Sequence, residues 1–115
     1  MKPLFRLETV AGVMVAHHVE VADSILSRFR GLMFRDHLPE GHGLALRPCN
    51  SIHMFFMRFA LDVLFLDRQR RVKKVMLNLK PWRISPIVFG ARTVVELPAG
   101  TLGDRRLVGS KLTLE

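Results

Sequence analysis

Residues 49–67 read Cys49-Asn50-Ser51-Ile52-His53-Met54-Phe55-Phe56-Met57-Arg58-Phe59-Ala60-Leu61-Asp62-Val63-Leu64-Phe65-Leu66-Asp67. This is the most apolar part of the chain, yet Cys49, His53, Arg58 and Asp62 interrupt it. A polar group inside an apolar run must find a partner or cost roughly 1–3 kcal/mol. Core and chemistry are therefore expected to coincide here. Ile52–Phe59 is apolar on both faces, which predicts an inner strand paired on both sides. Leu61–Leu66 predicts the next strand. Asp67-Arg68-Gln69-Arg70 then turns the chain into a further strand over Val72–Leu79, so these two form a hairpin.

On the N-terminal side, Pro48 closes a brief strand, Leu44-Ala45-Leu46, and Asp36–Gly43 reads as a loop. Asp23 or Ser24 can cap a helix. Ile25, Leu26, Phe29, Leu32 and Met33 follow at helical spacing, which predicts an amphipathic helix of about ten residues with its apolar stripe on the core. Gly31 inside that pattern costs roughly 1 kcal/mol relative to alanine. Either the helix ends there or a backbone packs closely against it. Leu4–Glu8 and Gly12–Val21 predict a hairpin turning through Thr9–Gly12. The adjacent His17 and His18 are expected on opposite faces of their strand, unable to serve one site.

On the C-terminal side, Pro81–Pro86 is a loop that carries the single tryptophan, Trp82. Arg92–Leu97 is a strand supported by the β-propensity of Thr93, Val94 and Val95. Pro98-Ala99-Gly100 turns the chain, and Lys111–Leu114 alternates as a last strand. Eight or nine short strands with one helix predict a mainly β fold, a small antiparallel barrel or sandwich.

Bulk properties agree. A chain of 115 residues is one domain, here taken as 1–115, and 49% hydrophobic with 24% charged residues excludes a disordered polymer. A single cysteine rules out an internal disulfide and fits a reducing compartment. The start, Met1–Val10, has Glu8 within it and does not read as a secretory signal. No run approaches the roughly 18 apolar residues of a membrane-spanning helix, so the expected location is cytoplasmic. The net charge of +8 and pI near 11.1 permit contact with nucleic acid or anionic membrane surfaces. The basic residues are scattered except at Arg68, Arg70, Arg71, Lys73 and Lys74 on the hairpin tip. With no recognised motif beside them, only weak, salt-sensitive and sequence-blind association with nucleic acid is expected there.

Four motifs occur in order: Arg30-Gly31-Leu32-Met33, then Ile52-His53-Met54-Phe55-Phe56-Met57-Arg58-Phe59, then Leu61-Asp62-Val63-Leu64-Phe65-Leu66-Asp67, and last Val95-Glu96-Leu97-Pro98-Ala99-Gly100. Together they resemble the bacterial and archaeal family catalogued as domain of unknown function 192, over about residues 20–115. The resemblance implies a small β-rich, barrel-like fold with one short helix, and it implies no established activity. Two positions depart from the family pattern. The hairpin turn is Asp67-Arg68 where such proteins often have Asp-Gly, and Gly109-Ser110 stands where Gly-Asp is usual.

Three constellations could carry chemistry. Cys49 and His53 would lie about 13 Å apart on a strand and could share a metal ion only if Asn50-Ser51 folds back. No metal and no cofactor are expected. Cys49 could act as a nucleophile with His53 as its base, its thiolate favoured by Arg47 and Arg58; a lone cysteine in an apolar setting is more often a packing residue. Arg58, Asp62 and Glu96 could form an internal ion pair that satisfies buried charge. Alternatively Arg58 stands at a barrel mouth where His53, Arg58, Asp62 and Glu96 bind a small polar or anionic ligand. The residues support, first, a small β-barrel binding or accessory module with a polar pocket near His53, Arg58 and Asp62. An enzyme using Cys49 and His53 and a nonspecific nucleic-acid binder are the alternatives.

Overall fold

The computed structural model describes residues 4–103 and 105–115, so Met1–Pro3, part of the start read above, lie outside the described residues. The strands are β1 (Leu4–Thr9), β2 (Met14–Ala22), β3 (His42–Leu46), β4 (Leu61–Leu66), β5 (Val72–Leu79), β6 (Thr93–Pro98) and β7 (Leu112–Leu114). The one helix, α1, spans Ile25–Arg30. All strands join one sheet in the order β5-β4-β6-β3-β2-β1-β7.

The sheet curls until its two edges touch. Arg71, just before β5, bridges Lys111, just before β7. Around that bridge Val72 N–H donates to Ser110 O at 2.9 Å and Leu112 N–H to Arg70 O at 2.9 Å. Closure removes much of the edge-strand exposure that an open sheet would carry. The β fold is thus observed, with one short helix and seven strands among the described residues in place of about eight strands.

Every pair but one is antiparallel. β2 and β3 run parallel, His18 beside His42 through Ala22 beside Leu46. A parallel pair needs a crossover, and α1 lies in it. The crossover sets α1 on the outer face of the sheet rather than in its interior.

That placement creates two cores. Along β6, Val95 and Leu97 point inward with Leu64 and Leu66 of β4 and Ala45 of β3. The alternate residues, Val94 of β6, Val63 and Phe65 of β4 and Leu44 of β3, point outward into a second cluster with Ile52, Met54 and Met57. Hence all six residues of β4 are buried. A strand buried on both faces reads as a continuous apolar run, as Leu61–Leu66 does.

The segment over residues 52–59 is not the inner strand its composition predicts. It is an irregular outer layer paired with the loop that precedes β6. Met54 N–H donates to Arg83 O at 2.7 Å, Trp82 N–H to Met54 O at 2.8 Å, Ser85 N–H to Ile52 O at 2.9 Å and Val88 N–H to Asn50 O at 2.9 Å. Ile52, Met54 and Met57 face the sheet, an uneven spacing that no regular strand provides. The segment is apolar on both sides because one side covers the outer core while Phe56 stands 48% exposed.

The helix is shorter than its periodicity suggests, and its stripe does not enter the core. Ile25, Leu26 and Phe29 are 81%, 76% and 61% exposed, whereas Leu32 and Met33, beyond the helix end, are buried. The glycine at position 31 is the C-cap, so the first of the two readings of Gly31 holds. The two histidines of β2 also differ from expectation. Both His17 and His18 N–H groups donate to Gly41 O, at 2.9 and 3.1 Å, and the β1–β2 register slips there. This bulge cancels the alternation: His18 stacks on His42 at 4.0 Å while His17 meets the same ring edge-on at 5.9 Å.

Candidate functional site

Between α1 and the outer face of the sheet lies a cavity of about 220 Å³. Its roof is built locally. Ser24 caps α1 by accepting from Ser27 N–H at 3.1 Å, and Ser27 Oγ accepts from Ser24 N–H at 3.1 Å. The helix stops at Gly31, whose φ of 48° is a left-handed value that glycine tolerates. A Cβ at that position would sit 3.4 Å from Glu96 Oε1, so the glycine keeps the space beside that carboxyl open. Two polar ties hold the roof. Arg28 Nη1 donates to Pro48 O across the gap, and His53 Nε2 bonds Phe29 O at 2.8 Å. Leu46, Cys49, Ile52 and Met57 supply much of the remaining wall.

Glu96 is the polar centre of this cavity. It is 3% exposed on β6, and its Oε1 has no hydrogen-bond partner among the described residues. Burial pushes its carboxyl up to about 8, against a smaller downward pull from Arg35. The desolvated carboxylate is costly, so the group is largely neutral at pH 7 and can both donate and accept a hydrogen bond. Cys49 is half-buried, and its Sγ donates to Ser51 O at 3.0 Å. Burial pushes this thiol up; the hydrogen bond to Ser51 opposes that, Glu96 adds to it and Arg28 opposes it.

The structure therefore brings together Cys49, His53 and Glu96 of the residues singled out in the sequence. It does not make a nucleophile–base pair of the first two. His53 Nδ1 accepts from Phe55 N–H at 3.1 Å, which leaves the hydrogen on Nε2 to donate to Phe29 O. Both ring nitrogens are spent on backbone, and the thiol is directed at a carbonyl.

Arg58 and Asp62 do not pair with each other. The Arg58 side chain is 57% exposed and pairs with Asp36, 80% exposed, on the surface. Asp62 is buried on the opposite side of the sheet from Glu96. Its Oδ1 accepts from Asn78 N–H at 3.0 Å, and its Oδ2 from Gly100 and Leu102 N–H at 3.1 and 3.0 Å. It braces the Pro98-Ala99-Gly100 turn by backbone bonds, which a search for a cationic partner does not anticipate. The basic hairpin tip is exposed at Arg68 and Arg70, while Arg71 Nη1 donates to Gly109 O at 3.2 Å. Among the described residues, no group of three or more His, Cys, Asp or Glu could hold a metal ion. None of their helices is long and apolar enough to cross a membrane.

Sequence reasoning missed two features. Arg28 and Gly31 are pocket walls; the signal was the glycine interrupting a helical pattern. The second is an exposed ring chain beside the pocket mouth. Phe29 contacts His53 at 4.9 Å, His53 contacts Phe55 at 5.1 Å, Trp82 contacts Phe56 at 5.0 Å and Phe56 contacts Phe34 at 5.2 Å. Phe34, Phe56 and Trp82 all hold left-handed backbone, with φ of 66°, 60° and 68°. Such conformations cost a bulky residue about 1–2 kcal/mol each. Nothing in a local pattern announces three aromatic residues held this way.

Fold and site define a small, barrel-like β domain with a helix-roofed cavity on the outer face of its sheet. Residues 7–114 match the DUF192 family, described as "Uncharacterized ACR", and the chain belongs to that family. It is 41% identical to a UPF0127 protein of Thermococcus gammatolerans, over 74% of this chain and 58% of that one. It is 35% identical to a UPF0127 protein of Pyrococcus furiosus, over 86% of this chain and 93% of the other. The chain thus spans a little over half the length of the Thermococcus relative. A crystal structure of a protein of unknown function from Novosphingobium aromaticivorans shares the fold with a TM-score of 0.82. That match covers 97% of this chain and 84% of the other at 23% identity. Neither the family description nor the names of these relatives assign an activity.

Proposed function

We propose that this protein is a small-molecule binding module whose ligand occupies the cavity between α1 and β6 and hydrogen-bonds Glu96. The observation that carries the reading is a buried carboxyl whose Oε1 has no hydrogen-bond partner among the described residues, in the wall of a partly open pocket. Buried polar atoms nearly always have partners; one left without a protein partner at a cavity is available to a ligand. The cavity volume of about 220 Å³ is below the roughly 300–1,000 Å³ of sites for drug-sized molecules. The ligand is accordingly small, with an apolar body against Leu46, Ile52 and Met57 and one polar head toward Glu96. Arg58 and Asp62, engaged elsewhere, have no part in it.

The test uses short-chain probes of matched size, namely butylamine, butanol, butyramide and butyrate, titrated while amide resonances are followed. Binding of at least one probe is expected to shift Gly31, Cys49 and Ser51, and Glu96→Leu to weaken that binding about tenfold or more. The reading fails if all four probes leave those resonances unmoved, or if Glu96→Leu binds them equally well.

A further inference from the structure

The outer layer is also the most unusual surface of the molecule. Three segments form it, residues 23–36, 47–60 and 80–92, tied together by the backbone bonds from Asn50–Met54 to Trp82–Val88 and by Phe34 N–H donating to Phe56 O at 3.1 Å. Beyond the ring chain, this layer exposes aliphatic and aromatic tips: Ile84 at 63%, Ile87 at 59% and Phe89 at 83%, with Ile25 and Leu26 on α1. Nine of the 13 large apolar side chains that stand exposed among the described residues belong to these three segments, and concentrations of exposed apolar surface mark interaction sites. The same segments hold eight of the 18 basic residues and only two acidic ones, Asp23 and Asp36. They carry +6 of the net +8, or +5 once Glu20 of β2, which pairs with Arg35 at 3.3 Å, is counted with them.

We infer that this face docks on an anionic lipid surface, the exposed apolar side chains entering the headgroup boundary and the arginines engaging lipid phosphates. Charge sign excludes a neutral or cationic partner as the preferred one, since basic residues near an anionic bilayer each add attraction. Side-chain chemistry separates lipid from single-stranded nucleic acid. Isoleucine and leucine tips offer no stacking platform, whereas they partition into acyl chains as amphipathic interfacial surfaces do. The rings of Phe55, Phe56 and Trp82 tilt against one another at 45° and 59°, which presents edges and tips rather than parallel faces for bases. Trp82, 59% exposed, has the amphipathic indole that settles at the bilayer interface. The left-handed backbone of Phe34, Phe56 and Trp82 supports the same reading. Left-handed backbone at bulky residues costs stability and persists only where the surrounding structure enforces it, a condition that clusters at functional surfaces.

Trp82 is the only tryptophan, so its emission reports on this face alone. Vesicles of phosphatidylcholine with added phosphatidylglycerol are expected to blue-shift it, and brominated lipid to quench it. Vesicles of phosphatidylcholine alone should bind far more weakly, and about 0.5 M salt should weaken the anionic case. Phe89→Ser should lower partitioning about tenfold and Arg83→Ala about fivefold, while Val108→Ser, an exposed apolar change outside the three segments, should leave it within twofold. Circular dichroism of each variant confirms the fold. An unmoved Trp82 emission with anionic vesicles overturns the proposal, as does equal binding to neutral vesicles. So does tighter binding of a single-stranded oligonucleotide that falls with Phe89→Ser, because the face would then be a nucleic-acid surface.

Discussion

The two faces of one sheet make the instructive comparison. β4 and β6 each send one set of side chains into the barrel and the alternate set outward, and each face receives one buried carboxyl group. On the inner face, Asp62 meets three backbone N–H groups. Outside, Glu96 meets none that Oε1 can use, and its proton is retained to about 8. The two groups sit on adjoining strands, with Asp62 beside Leu97 and Glu96 beside Val63. Burial alone therefore does not decide whether a carboxyl is a brace or a site. What decides it is whether the surrounding backbone turns its donors toward it. The turn at Pro98–Leu102 does so for Asp62, and the glycine-ended helix leaves a gap beside Glu96.

The largest effect expected from this contrast is on pH dependence. Glu96 binds its proton more tightly folded than unfolded, so its contribution is fully present below about 4.5, its ordinary value, and is lost as pH rises toward and through about 8. At about 1.4 kcal/mol per unit, stability should fall by up to about 4–5 kcal/mol over that window. Glu96→Gln should flatten the curve and exceed wild type in stability above pH 8, as measured by urea unfolding across pH. An unchanged slope would mean that Glu96 ionises normally and that the two carboxyl groups do not differ in this way.

Asp62→Ala comes next. It strands three backbone donors, two of which brace the turn after β6, and hydrogen bonds to a charged group count for roughly 1.5–3 kcal/mol each before non-additivity. A loss of about 3–5 kcal/mol in urea unfolding is expected, with no change in probe binding at the cavity per folded molecule. A smaller effect follows from the roof. Ser24→Ala removes the capping box and should cost about 1 kcal/mol, seen as faster amide exchange at Arg28 and Gly31 while the β4–β6 amides stay protected. The smallest concerns Arg58. Its partner is exposed Asp36, so Arg58→Ala should cost under about 1 kcal/mol. A loss of several kcal/mol would restore the internal pair that the apolar setting of Arg58 first suggests.

Much of the fold was legible. Leu61–Leu66, Val72–Leu79 and, within one residue at each end, Arg92–Leu97 follow from runs of strand-forming residues bounded by turn residues. The cap at Ser24 and the stop at Gly31 follow from local backbone chemistry. Two readings failed for one reason. The chain over 52–59 and the stripe Ile25-Leu26-Phe29 are apolar, and an apolar pattern predicts burial without saying in which layer. Both belong to a second layer, whose inner side covers the outer core and whose outer side faces solvent. Of the site, Cys49, His53 and Glu96 were singled out, whereas Arg28 and Gly31 were not, because each acts through a neighbour distant in sequence.

The residue pattern by itself determined a β-rich fold, its hairpins, the short capped helix and the basic charge. These rest on periodicity, turn chemistry and composition, all local properties of the chain. Tertiary structure alone decided that β2 and β3 pair in parallel, that the crossover lays α1 on the outer face, and that Arg58 and Asp62 part company. It also decided that Glu96 Oε1 lacks a hydrogen-bond partner among the described residues while its side chain lines a cavity. Those outcomes depend on which backbone donors and side chains arrive from elsewhere in the chain, and no local pattern encodes such meetings.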